Sequence, residues 1–432
     1  MVPLNNDSFH PLYGEQTRLT LRNMSFSGVA LSHFPAYIEN AGRVKKACAL
    51  ANMRAGLLSK DKAQRIMHAC DQLIAGRHLD QFPVDAYHGG GGIGINMNLN
   101  EVIAALAGDD IKPVDDVNMS QSTSDVCHTA LRLTLSLQLA ELEKECGYYE
   151  EQLEKLHCSF AEIPTIARTC LQDGMAVSAG ALFSAAAAAV SRQRTDLGIW
   201  RERMLRVNLG WTVIGTGTGA PQAYRDEILP ALKEVFGCPV TWRGNPLDAA
   251  QYPDDLAAVS SLVNRLAQIL AKLARDLRLL SSGPETGLGE LSLPAVQAGS
   301  SFFPGKVNPV LPEMMIQCAM LVDGHNGILQ RAVGLGEIHI NLWEEMMGFL
   351  LLDSVSMLLC SMRNMLRYCV DGIRINEEAC RKYALSRIPL IVACKERYGY
   401  QYLSSRIKKE GLEAVVADLR SSETANTDNV RS

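Results

Sequence analysis

Residues 256–280 read LAAVSSLVNRLAQILAKLARDLRLL, and this stretch favours an all-α fold. Apolar residues recur every three or four positions, as they do along one stripe of an amphipathic helix. No Pro or Gly interrupts the run. The stripe consists of Leu256, Val259, Val263, Leu266, Leu270, Leu273, Leu277 and Leu280. The segment therefore predicts one continuous helix of about seven turns.

Other long helices are expected on both sides of this stretch, whereas strand signals are sparse. They are predicted from Ser124 to before Pro164, over 180–205, after Pro312 and from near Leu342. Long helices with one apolar stripe pack into bundles, and contacts between subunits often complete such bundles. An ordinary helical monomer is the alternative.

We expect three domains around a long central helical bundle. Residues 1–121 would form a small N-terminal helical domain and residues 122–371 the central long-helix bundle domain. Residues 372–432 would form a small C-terminal helical domain, with helix breaks at Pro389 and Gly399.

Composition excludes several classes of protein. The 432 residues carry a net charge of -5, which gives no basic surface for nucleic acid and no polybasic membrane patch. No secretory signal is visible at the N-terminus, and the apolar run at 181–190 is too short to span a bilayer. The 12 cysteines show no CxxC spacing, which favours free thiols over disulfides or a zinc site. We therefore expect a cytoplasmic protein with no metal and no cofactor.

The most informative loop is residues 293–313, LPAVQAGSSFFPGKVNPVLPE. A Gly/Ser loop bearing one lysine could bind an anion through backbone N–H groups and the ammonium. A phosphate loop is the alternative, but the spacing is not GxxxxGK[ST] and no apolar strand precedes it. Two other glycine-rich segments are weaker. His88 precedes four glycines without any GxSxG motif in the chain, and the run at 215–219 lacks a strand–turn–helix context.

This loop resembles the signature of the aspartase/fumarase superfamily, in which Gly-Ser-Ser is followed by Pro, Lys, Asn-Pro and Glu at fixed spacing. The resemblance extends over about 13–372, and the most similar members are aspartate ammonia-lyases, followed by class II fumarases. Further blocks match in order: YGEQT (13–17), GGGIGINMNLNEV (90–102), NMSQSTSD (118–125), RTCLQD (168–173) and NLGWTVIGTG (208–217).

The resemblance implies removal of a proton from the carbon beside one carboxylate and expulsion of a group from the adjacent carbon. The resulting aci-carboxylate needs several preorganised donors, each worth on the order of 3 kcal/mol. It also implies an assignment of roles. Ser300 is the base, stabilised as an alkoxide by loop N–H groups. Ser122, Thr123 and Ser301 are donors to that carboxylate, and Lys306 and Asn308 hold the other carboxylate. Thr169 lies near the leaving group, and Glu313 orients its neighbours.

The asparagines of the first block are more typical of loop support than of substrate binding. Among Asn96, Asn98 and Asn100, we retain Asn98 as a marginal substrate contact. Ser122 and Thr123 precede a helix, where capping is expected and is compatible with substrate binding.

Three substrate-binding positions depart from the family pattern. Ile93 stands where these enzymes usually have a threonine, and it has no side-chain hydrogen-bonding group. Ser124 stands where they usually have asparagine. Cys170 replaces the histidine of fumarases, or the histidine or glutamine of aspartases, which counts against hydration.

The function expected from this resemblance is that of a carbon–nitrogen lyase. It would release ammonia or an amine from aspartate, or a modified aspartate, to give fumarate. A fumarase-like hydratase and a catalytically inactive paralogue are the alternatives. The resemblance also implies a small anionic dicarboxylate as substrate and a homotetramer in which different subunits contribute to each active site.

Overall fold

The computed structural model describes residues 11–428, with side chains described to Ser421. Fifteen α-helices and six short strands are present in these residues. The helices are α1 (Glu15–Met24), α2 (Pro35–Arg54), α3 (Lys60–Ile74), α4 (Ile93–Ala107), α5 (Thr123–Ser159), α6 (Ala181–Arg203), α7 (Gln222–Phe236), α8 (Pro246–Gln251), α9 (Asp254–Leu280), α10 (Val310–Ala332), α11 (Glu344–Tyr368), α12 (Glu377–Ala384), α13 (Arg387–Tyr398), α14 (Tyr400–Glu410) and α15 (Leu412–Asp428). The strands are β1 (Pro164–Thr169), β2 (Gln172–Ser178), β3 (Arg206–Val207), β4 (Thr241–Trp242), β5 (Leu291–Ser292) and β6 (Arg374–Ile375).

The predicted all-α class is confirmed, and α9 covers the predicted helix. Asp254 and Asp255 occupy its first turn, where negative charge complements the helix dipole. Two predicted boundaries are wrong. Helix α10 begins at Val310, with Pro312 inside its first turn, and α13 contains Pro389 in its first turn. Proline is tolerated there because first-turn N–H groups have no intrahelical partner.

The strands form three two-stranded sheets. β1 and β2 make an antiparallel hairpin, β3 and β4 pair in parallel, and β5 and β6 pair antiparallel. The hairpin was not predicted from the sequence.

The chain divides into two compact units. The first comprises the described residues up to Lys144, with Gln193–Ala267 and Cys318–Leu359. The second comprises Glu145–Arg192, Gln268–Gln317 and the described residues from Cys360 onward. The three-domain division expected from the sequence stays a prediction.

In the first unit, the start of α1 is anchored by a carboxylate from α4. Glu101 accepts backbone N–H groups from Gly14 (2.8 Å), Gln16 (2.9 Å) and Thr17 (3.1 Å), and also the Thr17 hydroxyl (2.6 Å). These N–H groups have no partner within the helix, so Glu101 acts as a cap supplied from another helix.

A buried charged cluster joins α5, α9 and α11 in the same unit. Arg132, 1% exposed, donates to both carboxylate oxygens of Asp255 at 2.8 and 3.0 Å and forms an ion pair with Glu344. His128 lies between Glu344 (3.2 Å) and Glu345 (3.3 Å). Burial acts to lower the pKa of His128, but the two carboxylates outweigh it and raise the pKa.

In the second unit, the C-terminal helices have their own apolar cluster, formed by Cys394, Leu403, Val415 and Leu419.

Helices Asp254–Leu280 and Glu344–Gly372 are long and apolar enough to span a membrane, but 61% and 67% of their most apolar windows are buried within the fold. Core helices meet the same criterion, so the pair is weak evidence for a membrane span.

Candidate active site

The glycine-rich segment before α4 brings Ile93 to the first helical position. Gly92 caps the helix at φ +80°, and a Cβ there would lie 2.8 Å from Glu345 Oε1. His88 Nε2 accepts the N–H of Ile95 at 3.2 Å, so its imidazole caps the first turn. Ile93 is 42% exposed and presents an apolar surface at the helix start.

The asparagines that follow are buried and mostly serve the fold. Asn98 is fully buried and donates to the carbonyl of Gln81 at 3.0 Å. The Asn98 side chain therefore presents no exposed surface to a substrate in this chain, and its predicted substrate contact stays a prediction. Asn96 donates to Asn118 (3.1 Å) and to the Thr123 hydroxyl (3.2 Å), which supports the loop role expected for it.

The start of α5 is organised by Asp125. One Asp125 oxygen accepts the N–H (2.8 Å) and the hydroxyl (3.1 Å) of Ser122, and the other accepts the N–H groups of Gly210 (3.1 Å) and Thr212 (3.2 Å). The reciprocal bond from the Asp125 N–H to the Ser122 hydroxyl, at 3.4 Å, resembles a capping box. Ser122 and Thr123 are half-buried, so the structure leaves both accessible.

Ser124 differs from these neighbours. It is 4% exposed, and its hydroxyl lies 3.0 Å from that of Ser122 and 3.3 Å from the Val213 carbonyl. Its hydroxyl already has partners inside the unit, so it would have to exchange one of them to contact a substrate.

In the second unit, Thr169 and Cys170 lie at the tip of the β1–β2 hairpin. Thr169 pairs with Gln172, and the two turn residues, Cys170 and Leu171, have φ of 54° and 60°. A two-residue turn with both residues left-handed is type I′, which usually contains Asn or Gly. Each non-glycine residue costs about 1 kcal/mol or more in this conformation. Thr169 and Cys170 are both exposed.

A buried carboxylate fixes this hairpin. Glu290, 3% exposed, accepts the Thr165 hydroxyl at 2.5 Å and forms an ion pair with Arg168, also at 2.5 Å. The Arg168 guanidinium lies over the Tyr383 ring, 5.3 Å from its centroid. These contacts hold the strand that leads to Thr169.

The Gly-Ser-Ser loop folds back on itself, and Ser300 is its internal acceptor. The Ser300 hydroxyl accepts the N–H groups of Phe302 (3.0 Å) and Phe303 (2.9 Å). Ser301 and Phe302 are exposed. Two N–H dipoles are therefore directed at the oxygen to which the base role was assigned.

Gly299 and Asn308 close this loop at its base. Asn308 donates its side-chain amide to the Gly299 carbonyl. A Cβ on Gly299 would lie only 2.1 Å from the Lys306 carbonyl oxygen, so the close approach requires glycine. The Lys306 ammonium lies over the Phe303 ring, 5.4 Å from its centroid.

A cavity of about 830 Å³ brings Lys306, Asn308 and Glu313 together. Arg275 and Arg278 also line it, and Arg278 forms an ion pair with Glu313 at 3.3 Å. The lining thus carries more positive than negative charge, as an anion-binding cavity requires. Ser300 and Ser301 are not among its lining residues. Among the residues that the structure describes, no group of three or more His, Cys, Asp or Glu side chains could hold a metal ion.

Known proteins similar to this chain show the family to which it belongs. A family model described as lyase matches residues 6–324. The aspartate ammonia-lyase of Corynebacterium glutamicum is 38% identical over 415 residues, covering 94% of this chain and 79% of the relative. That of Helicobacter pylori is 36% identical over 412 residues, covering 93% and 88%. The chain belongs to the aspartase/fumarase lyase family.

Solved structures agree with this membership of the aspartase/fumarase family. The fumarate lyase:delta crystallin from Brucella melitensis, bound to cobalt, has a TM-score of 0.90 and 38% identity, covering 98% of this chain and 93% of that one. The class II fumarase of Schistosoma mansoni has a TM-score of 0.89 at 24% identity, covering 97% and 93%, and shows the shared fold alone. The chain is therefore a lyase, and the predicted family and enzyme class are confirmed.

Several residues that organise the candidate segments are not identified from the sequence. Asp125 belongs to a block that matches the family pattern, whereas Glu290 lies outside those blocks. The same is true of Lys45, which donates to Asn118 and Gln121 in the loop before α5. Lys45 had a detectable signal, because it interrupts a helix stripe of small apolar residues that includes Ala41, Cys48 and Ala49. A charged residue at such a position is rarely buried without a partner.

Proposed function

We propose that this lyase eliminates ammonia or an amine from aspartate, or a modified aspartate, to give fumarate, with Ser300 as the base. The observation that carries the proposal is the pair of N–H bonds from Phe302 and Phe303 to the Ser300 hydroxyl oxygen. Donors aimed at an oxygen stabilise its anionic form more than its neutral form. A serine oxygen without such donors is a weak base in water.

The reaction then proceeds by proton removal followed by loss of the amine. The Ser300 alkoxide takes the proton from the carbon beside one carboxylate, and the C–H electron pair moves into that carboxylate to give the aci-carboxylate. Collapse of this species forms the carbon–carbon double bond and breaks the C–N bond, whose electron pair leaves with nitrogen. From aspartate, neutral ammonia departs from the ammonium carbon, and the proton remains on Ser300 until it is released.

Hydroxyl donors at the start of α5 fit the developing negative charge. Thr123 accepts a hydrogen bond from Asn96, which leaves its own hydroxyl hydrogen available to a carboxylate. Ser122 and Ser301 are assigned to the same carboxylate, and Ser122 would exchange the hydrogen bond that its hydroxyl donates to Asp125 for one to the substrate. We assign Lys306 and Asn308, in the positively charged cavity, to the other carboxylate.

The three residues that depart from the family pattern are assigned to the leaving-group side, which would make that side the less polar one. Ile93 contributes no hydrogen bond, Ser124 is buried against the Val213 carbonyl, and Cys170 is an exposed thiol on the hairpin. A pocket with fewer donors and acceptors suits a substituted, partly apolar amine better than a bare ammonium. This supports a modified aspartate as substrate, with aspartate itself as the alternative. Thr169 is assigned to the neighbourhood of the leaving group and Glu313 to the orientation of its neighbours.

Assembly as a homotetramer with shared sites is part of the proposal. On α10, Met320 and Leu321 are 62% and 54% exposed, and a Cβ on Gly324 or Gly327 would meet no described atom within 4 Å. Glycine inside a helix costs about 1 kcal/mol relative to alanine. Close packing of a second copy against this face would explain both features. Gly324→Leu is expected to dissociate the assembly and abolish turnover, as measured by light scattering and assay. An active monomer would contradict shared sites.

We place the enzyme in the cytoplasm. The 12 cysteines are present as thiols rather than as disulfides, as expected in a reducing compartment.

The decisive experiment is a substrate panel read by the ultraviolet absorbance of fumarate. L-aspartate, N-substituted aspartates, argininosuccinate and L-malate are offered to the assembled protein and to Ser300→Ala. We expect an amine-bearing substrate to be turned over by the wild type and loss of at least about 100-fold in the variant. Normal turnover by Ser300→Ala would show that Ser300 is not the base.

The other outcomes of the panel identify the alternatives. Turnover of malate alone would show a hydratase, and turnover of none would indicate an inactive paralogue.

Ile93→Thr tests the specificity argument. Improved turnover of aspartate relative to N-substituted aspartates is expected, and an unchanged ratio would show that Ile93 does not select the amine.

A further inference from the structure

A buried lysine lies beneath the loop that leads into α5, whose first residue is Thr123. Lys45, in the middle of α2, has no exposed surface, and its ammonium donates to the side-chain oxygens of Asn118 and Gln121, both at 2.9 Å. No carboxylate among the described residues lies within ion-pair distance of it. A buried charge without a counter-ion is costly, so its retention calls for a reason.

The partners of Lys45 connect it to the candidate site. The Asn118 side-chain oxygen accepts hydrogen bonds from Lys45, from Asn96 (3.1 Å) and from Asn100 (3.2 Å). Asn96 also donates to the Thr123 hydroxyl oxygen at 3.2 Å. A continuous hydrogen-bonded chain thus runs from the ammonium through two amides to a hydroxyl that retains a hydrogen to donate.

We propose that Lys45 is a positioning residue for the substrate carboxylate. It fixes Asn118 and Asn96 so that Thr123 donates toward the carboxylate, and its buried positive charge stabilises the bound anion. The bound anion then supplies the negative charge that the chain itself does not place beside the ammonium. The inference rests on the proposed function for the dicarboxylate nature of the ligand.

The charged and titratable groups facing Lys45 come from three helices. Cys48 lies on its own helix, Cys70 on α3, and Asp125 and Cys127 on α5. Burial raises the pKa of Cys48 and of Cys127 to about 12, and that of Cys70 further, so these thiols stay neutral at moderately alkaline pH. Burial lowers the pKa of Lys45 to about 8. Burial also raises the pKa of Asp125. Lys45 is the cation among these groups, so it is the one that loses a positive charge as pH rises from 7 to 9.5, and replacing it removes that titration while leaving Asp125 in place.

The test measures binding of succinate, an unreactive four-carbon dicarboxylate, by titration calorimetry on the assembled full-length protein at pH 7 and 9.5. Wild-type affinity is expected to fall as pH rises through about 8. Lys45→Met should bind at least about tenfold more weakly at pH 7 and should lose the pH dependence, because the charged donor is gone. Lys46→Met is the matched control. Lys46 is the next residue, faces solvent and pairs with Asp71 at 2.5 Å, so its loss should leave succinate binding unchanged.

A second variant tests the charge without removing the lysine. Asn118→Asp places a carboxylate beside the ammonium, where it competes with the bound anion for the positive charge, so succinate binding at pH 7 should weaken by about tenfold. This variant provides the test if Lys45→Met fails to fold. Wild-type-like affinity and pH dependence in Lys45→Met, or wild-type-like affinity in Asn118→Asp, would overturn the proposal. Absence of succinate binding by the wild type would overturn it as well.

Failure of the proposed function gives a different result. Wild-type protein that binds succinate with the Lys45-dependent pH profile, yet releases fumarate from no amine-bearing diacid, would refute the ammonia-lyase reaction and support the role of Lys45.

Discussion

Replacement of Arg132 by methionine should destabilise the fold strongly and in a pH-dependent way. Its guanidinium makes a two-point contact with Asp255 and an ion pair with Glu344, with almost no exposure to solvent. Removing one partner of a buried ion pair leaves uncompensated charge and costs about 3–5 kcal/mol. We therefore expect Arg132→Met to lose about that much free energy of unfolding at pH 7.5.

The pH dependence follows from the carboxylates left behind. Burial acts to raise the pKa of Asp255, but Arg132 outweighs it and lowers the pKa, so this carboxylate stabilises the wild type above its unfolded pKa. Without Arg132, only Arg243, 3.6 Å away, and the Leu256 N–H still oppose burial, so the pKa of Asp255 rises relative to the wild type and protonation at lower pH relieves part of the cost. The deficit should therefore shrink between pH 7.5 and pH 5.5.

Urea unfolding followed by circular dichroism, at fixed protein concentration, measures both effects. Arg265→Met is the control, since Arg265 is 55% exposed and 3.6 Å from Asp196, and it should change stability by less than about 1 kcal/mol. Combining Arg132→Met with Asp255→Asn should cost less than the sum of the single changes. A pH-independent loss, or strict additivity, would refute the reasoning.

Three further predictions concern other contacts. Gly299→Ala should reduce turnover at least tenfold with little change in thermal unfolding, because its Cβ would meet the Lys306 carbonyl in an exposed loop; wild-type turnover would contradict this closed loop. Glu101→Ala should speed amide hydrogen exchange in Glu15–Met24 selectively, since it removes the cap on that helix; unchanged exchange would contradict the anchoring role. The raised pKa of His128 stabilises the fold below its unfolded value of about 6.5 and ceases to do so as pH rises through the folded value. His128→Gln should therefore cost most near pH 6 and least near pH 9 in urea unfolding, and a constant difference would be inconsistent with a buried imidazolium.

The sequence was most informative where structure is set by neighbours along the chain. The stripe in α9 and the spacing of the Gly-Ser-Ser loop are local patterns, so the helix was predicted closely and the loop was singled out. The hairpin was missed because its turn residues, Cys170 and Leu171, are neither glycine nor asparagine, although their conformation favours those residues.

Contacts between distant segments could not be predicted in this way. Lys45 and Asn118 are 73 positions apart, and Glu101 and Gly14 are 87 apart. Periodicity identifies which face of a helix is buried, but it does not identify the partner that a buried charge meets. Asn98 illustrates the same limit. The match of residues 90–102 to the family pattern does not distinguish an amide that supports the fold from one that contacts a substrate.

The internal hydrogen bonding of the Ser300 loop also bears on how such lyases diversify. The donors to the Ser300 oxygen come from Phe302 and Phe303, two and three residues further along the same short segment. The environment of this oxygen is therefore set within one piece of chain, whereas Ile93 and Cys170 belong to other segments. Under the proposed mechanism, mutation of those other segments would alter which amine departs while the Ser300 loop stays unchanged, so a new substrate would not require a new base.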